Sequence, residues 1–133
     1  MLVDTLGLVI KVLVTEANVP ERTGAAWLLT AFGKRCPRLR LVWVDGGFSG
    51  HDFIQRIQAQ CQLTLHVIKR SDNAKGFVLL PRRWVVERTF AWLNNYRRLS
   101  KDYEYLLYSA DATLYAAMTH LMLRRLARYK AAT

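Results

Sequence analysis

The apolar positions alternate between continuous runs and helical stripes. Leu8 to Thr15 is rich in Val, Leu and Ile, which predicts a strand buried on both faces. Before it, Met1-Leu2-Val3 reads as the tail of a strand and Asp4-Thr5-Leu6-Gly7 as a turn. The pair forms a hairpin with a short first arm, an opening that predicts a further N-terminal portion. Asn18 to Gly24 is dense in breakers and predicts a loop. Thr23 or its neighbours then cap a helix from about Ala25 to Phe32, ended by Gly33. After the basic connector Lys34 to Arg38, Leu39 to Val44 predicts a second strand, which stops at Asp45-Gly46-Gly47-Phe48-Ser49-Gly50. Asp52 to Gln60 reads as a helix with Phe53 and Ile57 inward and Ile54 beside them. Leu63 to Ile68 is the third strong strand, with Lys69-Arg70 at its carboxyl end.

The longest helical signal follows a polar turn (Ser71 to Gly76) and the apolar segment Phe77 to Leu80. Pro81 suits a first helical position, and neither Gly nor Pro interrupts the chain until well past Arg98. Val86, Phe90 and Leu93 form a stripe that Val85 and Thr89 widen into a core-facing side. Arg83, Glu87, Asn94 and Arg98 stack on another line of the same helix. By helix statistics alone, Arg83–Glu87 is a surface pair contributing a few tenths of a kcal/mol. Leu99 to Tyr108 connects to a last helix capped by Ser109, with Leu114, Ala117, Met118, Leu121 and Met122 inward. Its cationic end, Arg124, Arg125, Arg128 and Lys130, suits the helix dipole. The order β-β-α-β-α-β-α-α is α/β, with helices packed on a mixed sheet.

Composition fits one globular domain over residues 1–133, with 52% hydrophobic and 23% charged residues. The net charge of +10 is unevenly spread. Residues 1–68 carry 7 Lys/Arg against 5 Asp/Glu, whereas the basic half, 69–133, carries 13 against 5. Cations interleaved with Trp, Tyr and Phe fit a polyphosphate partner, although ribosomal and membrane-surface proteins share that composition. The longest apolar run, Leu6 to Val14, contains Lys11 and is too short to span a bilayer. Cys36 and Cys61 have no CxxC spacing, and three histidines supply no zinc signature. Two separate thiols point to a reducing, cytoplasmic setting.

Candidate chemistry gathers at the carboxyl ends of strands. Asp45 ends one strand directly before two glycines, where ligands of α/β sheets bind. Read without context, Asp-Gly-Gly is simply a turn. If the third strand runs parallel to the second, Lys69 and Arg70 open onto the same edge, and the long helix adds Arg83 and Glu87. Two carboxylates ringed by cations fit phosphoryl transfer with a pair of hard divalent ions.

Three segments, Val44-Asp45-Gly46-Gly47-Phe48-Ser49-Gly50, Val67-Ile68-Lys69-Arg70 and Pro81-Arg82-Arg83-Trp84-Val85-Val86-Glu87-Arg88-Thr89-Phe90-Ala91-Trp92-Leu93, carry a resemblance. They are similar to the C-terminal half of bacterial insertion-sequence transposases of the DDE superfamily, from Leu2-Val3-Asp4-Thr5-Leu6-Gly7 to Leu121-Met122-Leu123-Arg124-Arg125-Leu126. The resemblance implies a ribonuclease-H-like fold and three acidic residues holding two Mg²⁺ or Mn²⁺ ions. Its second Asp maps onto Asp45 and its Glu onto Glu87; its first Asp belongs to a strand upstream of Val3. Asp4 is no substitute, because it occupies the turn between two later strands. Relatives also carry a Tyr and an Arg ahead of the Glu and a Lys seven residues after it. Arg83 fits the Arg, Leu80 replaces the Tyr, and Asn94 stands in place of the Lys, with Arg97 or Arg98 one turn on to supply the charge. The DNA-gripping face implied in this way is Lys69, Arg70, Arg82, Arg83, Asn94, Arg97 and Arg98.

The leading expectation is a DDE transposase fragment lacking the first strand, inactive alone, and acting in metal-dependent DNA cleavage and transfer of an insertion sequence. An upstream-encoded N-terminal half, a homo-oligomer when complete and association with the bacterial nucleoid belong to that expectation. Two others stay open: a non-catalytic basic DNA-binding protein or inhibitor, and a structural RNA-binding protein.

Overall fold

The computed structural model describes residues 1–33, 35–68 and 84–131. The chain divides into two compact units, one of Met1–Glu16 with Val85–Thr133, the other Ala17–Trp84. The elements follow the predicted order: β1 (Leu2–Val3), β2 (Val9–Lys11), α1 (Glu21–Gly33), β3 (Leu41–Asp45), α2 (His51–Cys61), β4 (Thr64–Ile68), α3 (Trp84–Leu93) and α4 (Leu107–Ala131). Short 3-10 turns at Gly46–Phe48 and Arg97–Leu99 complete the described set. The ladders are two pairs, β1 with β2 antiparallel and β3 with β4 parallel.

In the unit Ala17–Trp84, β3 and β4 run in register from Leu41↔Thr64 to Asp45↔Ile68. The parallel sense on which a shared carboxyl edge for these two strands was conditional is therefore present. A parallel pair needs a crossover, and α2 supplies it. Phe53, Ile57 and Cys61, spaced by four, bury one face of α2, while Val42, Leu63 and Leu65 contribute the buried side of the strands. Gln62 adopts a left-handed conformation (φ 55°), and its N–H closes on Gln58, turning the chain from helix into strand. Gly33 ends α1 where a β-carbon would come within 3.1 Å of Cys61 Cβ, so the glycine permits a close approach as well as a stop.

Helix α1 starts at Glu21, not near Ala25. The Pro20 carbonyl accepts from Thr23 (2.9 Å) and Gly24 (3.1 Å), so the presumed loop residues already lie within the first turn. Burial of Leu28 and Leu29 stabilises a helix that outweighs the local cost of Gly24, about 1 kcal/mol.

The other unit is built on its hairpin turn. Asp4 Oδ1 accepts from the N–H groups of Leu6 and Leu8, both at 2.8 Å, and the Gly7 N–H closes on the Asp4 carbonyl at 3.0 Å. Asp4 is thus a turn residue, as its position implied. The ladder stops at Lys11, short of the strand expected through Thr15, because α4 captures the backbone beyond it. Val12 N–H donates to the Tyr115 hydroxyl (3.0 Å) and Val14 N–H to Asp111 Oδ1 (2.8 Å).

Helix α4 begins two residues before Ser109, whose N–H, like that of Ala110, donates to the Leu106 carbonyl. Ser109 therefore lies in the first turn and is not its cap. Leu93, Ala117 and Met118 form the buried cluster, with Leu114, Leu121, Tyr96, Leu99, Met1, Leu8 and Val9 against it. Met122 falls outside this face, 40% exposed.

Candidate functional site

Asp45 is the last residue of β3 and faces the end of β4 across the parallel pair. Its backbone stays extended while the next three residues turn as a 3-10 helix, so the carboxylate stands at the carboxyl edge. Asp45 Oδ1 accepts the Gly47 N–H at 3.0 Å, which fixes the carboxylate's direction, and the side chain is exposed. A β-carbon at Gly46 would meet no described residue within 4 Å. Phe48 packs its ring against Phe53 of α2 at 6.2 Å and pins the loop at its far end.

One cation meets this loop that the sequence did not single out. Arg22, in the first turn of α1, donates its Nε–H to the Gly47 carbonyl at 2.9 Å. Gly47 therefore holds Asp45 through its N–H and Arg22 through its C=O, on the two successive peptide groups that flank its α-carbon. The available signal was a cation at the positive end of a helix dipole, where it opposes helix stability. Lys69, Arg70, Arg82 and Arg83 lie outside the described residues.

Glu87 belongs to the other unit, in the first turn of α3, and is exposed. A carboxylate at this end favours the helix by about 0.3–1 kcal/mol, a contribution independent of any ligand. The opposite face of α3 is anchored. Val85, Thr89 and Leu93 are buried, whereas Val86 and Phe90, expected to face the core, are 36% and 52% exposed. The stripe is rotated because the hairpin turn docks on it. The Thr89 hydroxyl lies 2.7 Å from the Gly7 carbonyl and donates to it, and Arg88 Nη2 donates to the Leu6 carbonyl at 2.8 Å. The guanidinium groups of Arg88 and Arg125 lie 4.8 and 4.0 Å from the Trp92 ring centre, a cation–π arrangement joining α3 to α4.

The predicted line from Glu87 through Asn94 to Arg98 does not continue on one helix. Asn95 and Tyr96 N–H groups close on Trp92 and Leu93, three residues back, and the Asn95 amide donates to the Ala91 carbonyl. Two asparagines, whose side chains compete with helical bonding, thus end α3 at Leu93 without Gly or Pro. Asn94 is exposed just past that end, and Arg97 is exposed in the following 3-10 turn. Arg98, also in that turn, forms a 2.7 Å ion pair with Glu104.

Among the described residues, no three His, Cys, Asp or Glu side chains gather as a metal cage. Asp45 and Glu87, one in each unit, are each a carboxylate, the donor type of hard divalent ions, which are often held by one or two carboxylates, water and substrate phosphates. No described helix is long and apolar enough to cross a membrane.

Residues 1–122 match the family model of the transposase DDE domain. Over 108 residues the chain is 30% identical to a putative transposase for insertion sequence element IS402 from Burkholderia cepacia. That alignment covers 76% of this chain and 50% of the relative, so the chain spans about half the length of the curated relative it matches. No solved structure matches it. The match over residues 1–122 and the 30% identical relative lead to one assignment: the chain belongs to the DDE transposase domain family.

Proposed function

We propose that the chain works in the metal-dependent cleavage and transfer of DNA strands during transposition of an insertion sequence, with Asp45 and Glu87 as ligands of divalent ions. The observation that carries this reading is Asp45 at the carboxyl end of a parallel strand pair, exposed and aimed by the Gly47 N–H. The proposed catalytic domain is of ribonuclease-H-like type and spans residues 1–133. When bound, Mg²⁺ or Mn²⁺ would activate the attacking oxygen and stabilise the leaving one. The chain's own residues hold the carboxylates in place and grip the strand. In this reading Asn94 and Arg97 contact the backbone directly, and Arg98 does so when its pairing with Glu104 yields to a phosphate. Lys69, Arg70, Arg82 and Arg83 complete the DNA-binding set, and the protein acts on DNA in the bacterial cytoplasm.

Thermal unfolding in a Mg²⁺ or Mn²⁺ titration tests the reading. An ion bound only by the folded state adds about 2.7 kcal/mol at a hundred times its Kd. Wild type should therefore gain melting temperature with added ion, and the double variant Asp45→Asn, Glu87→Gln should not. Equal gains in both would remove these residues from the site. A second reading, a DNA-binding protein without catalysis, is favoured by the lack of a three-ligand cluster among the described residues. It predicts salt-sensitive DNA binding with no ion-dependent gain in either protein.

A further inference from the structure

We infer that Arg22 binds a phosphodiester of the DNA strand lying beside Asp45, an inference that rests on the proposed action on DNA. Helix stability does not explain this residue. It is a cation in the first turn of α1, where the dipole disfavours positive charge. Ion pairing does not explain it either, because Arg22 makes no salt bridge among the described residues. What the fold does is fasten it: the Nε–H is committed to the Gly47 carbonyl at 2.9 Å, and the side chain remains exposed.

Fastening through Nε leaves the terminal nitrogens of a rigid planar fork to meet two oxygens of one phosphate. Gly47 ties that fork to the carboxylate, since the N–H of the same residue donates to Asp45 Oδ1. Among the described residues none lies within 4 Å of a β-carbon built at Gly46, so none of them blocks a strand from the backbone there. A phosphodiester gripped by Arg22 is thus held at a set position relative to Asp45, and a guanidinium suits this better than an ammonium. Lysine has one charged nitrogen and cannot keep the carbonyl bond while presenting a two-pronged contact.

The test measures binding of the full chain to a short labelled DNA duplex over a range of KCl concentrations, for wild type, Arg22→Gln and Arg22→Lys. Loss of one phosphate contact lowers the salt slope by about 0.9 and weakens binding to all sequences alike. The affinity gap between wild type and Arg22→Gln should therefore shrink about eightfold for each tenfold rise in salt. Arg22→Lys should fall between them, with melting temperatures unchanged or raised. Equal slopes for wild type and Arg22→Gln overturn the inference while leaving DNA binding intact. Absence of salt-dependent binding by wild type overturns the DNA reading and the inference together. If inorganic phosphate at fixed ionic strength displaces DNA equally from wild type and from Arg22→Gln, the competing phosphate acts elsewhere and the assignment of the strand to Arg22 fails.

Discussion

Gly7→Ala should destabilise the unit that carries Glu87 by about 3 kcal/mol, from a left-handed penalty of about 1–2 and overpacking of about 1–3. Gly7 has φ 81°, a conformation that alanine enters only with strain. Its added β-carbon would lie 2.9 Å from Thr89 Oγ1, 3.1 Å from Trp92 Cζ3 and 3.3 Å from Arg88 Nη2. None of these neighbours is free to retreat. Thr89 is fully buried and bonded to the Gly7 carbonyl, Trp92 carries a guanidinium from each of two helices, and Arg88 is bonded to Leu6. Urea unfolding of the variant measures the loss. Gly7→Asn separates the two contributions, since asparagine tolerates a left-handed backbone but still brings a β-carbon. A cost below about 1 kcal/mol for alanine would show that the turn does not pack on α3 in this way.

Asp45→Asn should weaken binding of Mg²⁺ or Mn²⁺ by roughly 100-fold or more while leaving the fold in place. Changes to groups that only support a metal ligand cost about 10–100-fold, and removing the charge of a ligand itself costs more. Asparagine retains a carbonyl oxygen able to accept the Gly47 N–H, so the variant removes charge and keeps the turn. Asp45 is exposed and makes no ion pair among the described residues, which predicts a stability change within about 0.5 kcal/mol in metal-free buffer. Calorimetric titration of both proteins gives the affinity, and urea unfolding gives the stability. Unchanged affinity would assign the ion to other groups.

The element order was legible because each element carries its own period. The runs at Leu39–Val44 and Leu63–Ile68 mark strands, and the spacing of Phe53 and Ile57 marks the buried side of α2. Asp45 was legible as a strand end because a glycine pair follows it at once. What escaped the sequence depends on distant partners. Thr89 is a polar residue at the centre of a buried face only because Gly7, 82 positions away, offers its carbonyl. Val86 and Phe90 lost the core for the same reason. The strand through Thr15 stopped early because Tyr115 and Asp111, on the last helix, take its N–H groups. The end of α3 lies in Asn94-Asn95, two weak helix formers whose signal is fainter than a Gly or Pro would give. Arg22 was hidden because its meaning lies in a bond to a backbone carbonyl 25 positions on.

The central claim is that Asp45 and Glu87 hold divalent ions. The most direct measurement is paramagnetic broadening of amide signals in the ¹⁵N-labelled full chain on adding substoichiometric Mn²⁺. Ion binding at these carboxylates predicts early loss of the Gly46 and Gly47 signals and of those around Glu87, from Val86 to Arg88. It also predicts that Asp45→Asn restores the first group and Glu87→Gln the second. Broadening confined to other residues, or unchanged by these substitutions, would contradict it.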